Sequence, residues 1–143
     1  MTRLTMVLCG LWAALVMTVA DAHAQRRVAL VIGNGGYQNA GKLPNSSSDA
    51  NAVAALLRKA GFDVVETKLD IGNAEFKRAV RDFAPIARES DIAAVYFAGH
   101  GIEVNGTNYL LPVDAKLASD FDVEDEAVSL DRLMRAIEPA RQL

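Results

Sequence analysis

From residue 27 onward the apolar positions switch between a strand period and a helix period, and each switch marks an element. "RVALVIG" at 27–33 is an almost unbroken apolar run, the pattern of a strand buried on both faces. It gives way to "NGGYQNAGKLPNSSS", a loop by its glycine, asparagine and serine content. A helix is expected from Ser48 or Asp49, either of which can cap it. Its buried stripe would be Ala50, Val53, Leu56, Leu57 and Ala60, at spacings of three and four, with Gly61 closing it. "FDVVETKL" at 62–69 then alternates in character, which suits a strand near a sheet edge.

A second helix is expected from Ala74 to about Arg88 behind Asn73 as cap, burying Phe76, Val80, Phe83 and Ala87. Pro85 removes one helical hydrogen bond and should kink this helix or end it early. "DIAAVYFAG" at 91–99 is apolar almost throughout and reads as a central strand. Two short runs around Asn105-Gly106 predict a hairpin. "KLASDFDVEDEAV" reads as a solvated acidic loop, and a last helix capped by Ser129 runs towards the end of the chain.

Strands alternating with helices indicate one α/β domain with a largely parallel sheet. Right-handed crossovers place its strands in the order 2-1-3. That order leaves the most apolar strand at an edge, where natural proteins cover or charge exposed backbone. A further strand is therefore expected beside it, with residues 25–143 forming the N-terminal part of a larger domain.

Composition changes this picture mainly at the N-terminus. Arg3 precedes the apolar "LTMVLCGLWAALVMTVA", and "AHA" at 22–24 offers small residues before Gln25, so residues 1–24 read as a secretory signal. A membrane anchor is the competing reading, but a run of about 17 apolar residues is near the lower limit for spanning a bilayer. The expectation is a secreted or periplasmic domain, free of the membrane after cleavage. The one cysteine, Cys9, lies inside that leader, so packing rather than disulfides would stabilise the exported part. A net charge of −3 gives no support to nucleic-acid binding.

Candidate chemistry centres on "AVYFAGHG" at 94–101. His100 would sit at the carboxyl end of a parallel strand, where open α/β sheets place reactive groups. The flanking glycines allow close approach, and the Gly101 N–H is free to donate to a developing oxyanion. The plainer alternative is a histidine that bonds a loop carbonyl.

These residues resemble the caspase-like cysteine peptidases, in particular their bacterial metacaspase and orthocaspase members. "RRVALVIGNGGYQNAGKLPNSSSDANAVAALLRKAGFDVV" is similar to the family's first strand, loop and helix. "AAVYFAGHGIEVNGTNYLLPVDA" is similar to the block bearing its histidine. The resemblance implies a caspase-like α/β sandwich acting on peptide or protein substrates without a cofactor. In such enzymes a cysteine thiolate attacks the scissile carbonyl and a histidine exchanges the proton. His100 matches that histidine and Gly101 the oxyanion donor. Asp49 matches an aspartate that could line a pocket for arginine or lysine, with a helix cap as its other reading.

The resemblance also implies a cysteine about 50 residues after the histidine, beyond Leu143. The chain as given is therefore expected to be inactive alone. A non-catalytic, peptide-binding relative is the alternative. Asp120, Asp122, Glu124, Asp125 and Glu126 could hold calcium, as the resemblance to metacaspases suggests, although they lack the glycine-spaced loop of an EF-hand. Other classes fit poorly. From Gly33 the sixth position of a dinucleotide fingerprint is Gln38, no Gly-x-Ser-x-Gly occurs, and one histidine after the leader offers a poor metal set.

Overall fold

The computed structural model describes residues 25–141; the expected leader at 1–24 lies outside them. Strand β1 (Arg27–Gly33) is the middle of a parallel sheet, paired with β2 (Val64–Leu69) on one side and β3 (Ile92–Ala98) on the other. The order is thus 2-1-3, as the crossover rule requires. Helix α1 (Ser46–Lys59) connects β1 to β2, and helix α2 (Asn73–Arg88) connects β2 to β3. The two connections run in opposite directions along the sheet, so a constant hand puts their helices on opposite faces.

Residues 28–32 of β1 are buried on both faces, and this accounts for their unbroken apolar run. Val28, Leu30 and Ile32 pack with Phe76, Val80, Phe83 and Ala87 of α2, and with Leu133 and Ile137 of a last helix, α4 (Leu130–Ile137). Val31 faces the other way, against Ala50 and Ala54 of α1. The four side chains expected inside on α2 are inside.

Helix α1 is turned relative to the expected stripe. Its buried residues are Ser46, Ala50 and Ala54, whereas Leu56 is 64% exposed and Ala60 is exposed as well. The cause is close approach: a Cβ added to Gly33 would lie 2.6 Å from both the Ala50 Cβ and the Ser46 carbonyl oxygen. Only small side chains fit that distance, so the small-residue face goes inward and the larger Leu56 outward. The helix also begins earlier than expected, with Asn45 in the cap position and Ser48 donating to the Asn45 carbonyl at 2.8 Å.

Helix α2 starts at Asn73 and continues through Pro85 to Arg88, so the proline does not end it early. Its cap position is held by Gly72 rather than Asn73. The Asn73 N–H instead donates to Asp114 Oδ1 at 2.8 Å, from a distant loop. A carboxylate suits that place because helix N-terminal amides lack intrahelical partners and carry partial positive charge.

Among the described residues β3 lies at a sheet edge rather than at the centre, and most of its side chains are half-buried. After it come β4 (Gly101–Val104) and β5 (Thr107–Leu110), joined at Asn105-Gly106 with positive φ at both residues (51° and 79°). That is the conformation two-residue hairpins favour. The hairpin gains a third strand unforeseen in the sequence, β6 (Val128–Ser129). The acidic segment is likewise more ordered than a loop: a 3₁₀ turn (Asp120–Asp122) leads into a short helix, α3 (Val123–Glu126). Val123 and Ala127 are buried with Tyr37 and Leu111 in a small second core, while the acids face outward or bond local backbone. Two apolar residues four apart thus make the segment fold. Ser129 caps α4 as expected, accepting from the Arg132 N–H, though the helix ends at Ile137.

Candidate active site

The carboxyl end of the parallel sheet gathers the candidate chemistry. His100 and Gly101 lie where β3 turns into β4, and loop 34–45 leaves β1 beside them. The histidine Nε2 is 2.7 Å from the Gly41 carbonyl oxygen. A carbonyl only accepts, so Nε2 carries the proton and a neutral ring keeps its lone pair on Nδ1. The plainer reading of His100, a bond to a loop carbonyl, is thus realised at one ring nitrogen.

Loop 34–45 is itself fixed from several directions. Asn34, fully buried, accepts from the Ile71 N–H at 3.0 Å and donates to the Leu111 carbonyl at 3.1 Å. Asp70, at the end of β2 with a φ of 50°, accepts from the N–H groups of Gly35 and Gly36, each at 2.7 Å. Those two bonds hold its carboxyl below the ordinary value. The Gln38 N–H reaches the Val113 carbonyl, and Asn39 donates to the carbonyls of Asp114 and Ala115. "LPVDA" at 111–115 therefore serves as the backbone rail to which the loop is fastened.

Tyr37 links this loop to the histidine. Its hydroxyl accepts from the His100 N–H at 2.7 Å and donates to the Leu111 carbonyl at 3.1 Å. Its ring lies against the imidazole, with centroids 4.5 Å apart and tilted by 49°. Burial raises its pKa, so the hydroxyl stays protonated at neutral pH.

Gly101 faces Leu110 across the β4–β5 ladder, next to the His100–Leu111 pair in which the Leu111 N–H bonds the His100 carbonyl. Antiparallel pairs alternate between bonded and unbonded, so Gly101 falls at an unbonded place and its N–H points away from β5. Asp49 stands exposed in the first turn of α1, at the same end of the sheet. No hydrogen bond or ion pair among the described residues joins it to His100 or Gly101.

Three residues of this site escaped the sequence reading: Asn34, Tyr37 and Asp70. Tyr37 had a usable signal, an aromatic ring in an otherwise polar loop, which calls for a buried partner surface. Asn34 had a weaker one, a polar residue directly ending a buried strand. No three His, Cys, Asp or Glu side chains gather as a metal-binding group among the described residues.

Residues 26–137 match the caspase domain family. Over 98 residues the chain is 37% identical to mucosa-associated lymphoid tissue lymphoma translocation protein 1 of Homo sapiens, covering 68% of this chain and 12% of that protein. The Mus musculus homolog is 37% identical over 92 residues, 64% of this chain and 11% of its own length. The chain thus spans roughly an eighth of the length of these relatives. The family match begins just before β1 and runs to the last residue of α4, taking in both sheets, loop 34–45 and the turn bearing His100, and the chain belongs to the caspase domain family of cysteine peptidases.

Proposed function

We propose that this domain is the histidine-bearing part of an exported cysteine endopeptidase of metacaspase or orthocaspase type, cutting proteins after arginine or lysine. The observation that carries the reading is the His100 bond to the Gly41 carbonyl, which leaves Nδ1 as the nitrogen able to take a thiol proton and return it to the leaving amine. Gly101 donates its N–H to the oxyanion. Asp49, an exposed carboxylate at the same end of the sheet, receives the basic side chain of the substrate. No calcium or other cofactor takes part.

After Cys9 the sequence contains no cysteine, so residues 25–143 hold half of a dyad. The thiolate comes to His100 from outside them. In the polypeptide that supplies it, His100→Ala should lower cleavage of an arginine-terminated reporter peptide about 10²- to 10⁴-fold; undiminished cleavage would sink the assignment of His100. Residues 25–143 by themselves should leave the reporter intact, and His100-dependent cleavage by them would overturn that part. The second reading is a non-catalytic peptide-binding module. The coding sequence past codon 143 discriminates the two: a strand followed by Asp-x-Cys supports the peptidase.

A further inference from the structure

We infer that Tyr37 is a positioning residue for His100, acting through a hydroxyl inserted into the backbone ladder between the histidine and Leu111. The inference rests on His100 being the acid/base of the site. Residues opposite each other at a bonded place in an antiparallel ladder exchange two N–H···O bonds. Here the Leu111 N–H makes its bond to the His100 carbonyl at 2.9 Å, but the return bond is not made directly. The His100 N–H goes to the Tyr37 hydroxyl, and that hydroxyl goes to the Leu111 carbonyl. One side-chain oxygen thus takes the place of a direct bond and sets where the backbone of His100 sits.

The surroundings are built for this insertion. A Cβ on Gly99 would lie 2.6 Å from the Tyr37 hydroxyl oxygen, so only glycine leaves room for it. Tyr37 is 3% exposed, and the loop it stands on is clamped at Gly35 and Gly36 by Asp70. The loop that supplies the Gly41 carbonyl to Nε2 also supplies this hydroxyl to the His100 backbone. The imidazole is therefore fixed at its ring and at its main chain by one segment. Removing the hydroxyl lets the ladder close with a direct bond, which draws His100 toward β5 and away from the Gly41 carbonyl.

The test is nuclear magnetic resonance of the full chain, labelled with ¹⁵N and carrying His23→Gln so that His100 is the only imidazole. In the parent, His100 should be the Nε2–H tautomer. In Tyr37→Phe, with core amide signals unchanged, the ring should become a mixture of tautomers, read from its two ring ¹⁵N shifts. A folded Tyr37→Phe with the parent's ring shifts would overturn the inference. If that variant does not fold, the parent decides. A slowly exchanging Tyr37 hydroxyl proton with a nuclear Overhauser contact to the His100 amide supports the insertion, and absence of that contact refutes it. These readouts need no catalysis, so loss of the peptidase reading, shown by active His100→Ala, is a separate result.

Discussion

At the carboxyl end of the parallel sheet, Asn34, Tyr37 and Asp70 bond backbone groups and tie the ends of β1 and β2 to the hairpin. At the amino end, Arg26 pairs with Glu89 at 3.3 Å and Arg141 with Asp91 at 3.1 Å, mostly in solvent. Both ends are polar, but they differ in what holds them. The carboxyl-end bonds involving Asn34 and Tyr37 are buried, so water offers no replacement when one is lost. In the amino-end pairs every side chain but the half-buried Asp91 is exposed, where solvent and mobile ions compete with each contact. If His100 is the acid/base proposed above, its site is better served by the first kind, since preorganised groups need no rearrangement during reaction.

Asn34→Ala should give the largest effect in this comparison. The side chain makes bonds to the Ile71 N–H, the Ile71 carbonyl and the Leu111 carbonyl. Both carbonyls keep another donor, from the Val113 N–H and the Tyr37 hydroxyl. The Ile71 N–H alone is orphaned in a buried place, and with the lost bonds this should cost about 3 kcal/mol in chemical denaturation. A loss below about 1 kcal/mol would show that water enters the carboxyl end and that the contrast between the two ends is false.

Asp70→Asn sharpens the comparison, because this carboxylate is exposed like Glu89 yet bonds two backbone amides. A neutral amide oxygen accepts those bonds less strongly than a carboxylate, so the loss at pH 7 should be about 1 kcal/mol. The pH dependence follows from the direction of the shift. Asp70 has its carboxyl lowered in the folded state from an ordinary value near 3.8. Its stabilising contribution is therefore complete above that value and disappears as pH falls through the folded pKa. Wild type and Asp70→Asn should differ most near neutrality and converge as pH falls below the ordinary carboxylate value. A difference that stayed constant down to pH 2 would mean that shape, and not charge, is what Asp70 supplies.

How much of this was legible in the sequence also divides along chemical lines. β1, the inner face of α2, the 2-1-3 order and the Asn105-Gly106 turn follow from periodicity and backbone preference, which are local properties. His100 and Gly101 stood out as candidates because glycine around a strand end is a local signal too. The rotated face of α1 was missed because it depends on Gly33, which lies across the sheet interface and admits Ala50 but no larger side chain. Asn34, Tyr37 and Asp70 were missed for a related reason: their partners lie 34 to 77 residues away in sequence, and no spacing rule reports such a pairing. The acidic segment misled because five charges hid Val123 and Ala127, the two residues that bury it.

Glu89→Ala should give the smallest effect and so marks the other limit of the comparison. Its ion pair with Arg26 joins side chains that are 71% and 43% exposed. Exposed pairs of this kind contribute about 0 to 1 kcal/mol, because ordering two long side chains offsets most of the attraction. Glu89 also follows the last residue of α2, where a negative charge opposes the helix dipole. The two terms have opposite sign and similar size, so the net change should lie within about 0.5 kcal/mol of zero. Adding 1 M salt should shrink even that, since the screening length falls to about 3 Å. A salt-resistant loss above about 1 kcal/mol would place the amino end in the same class as the carboxyl end, and burial would no longer be what distinguishes them.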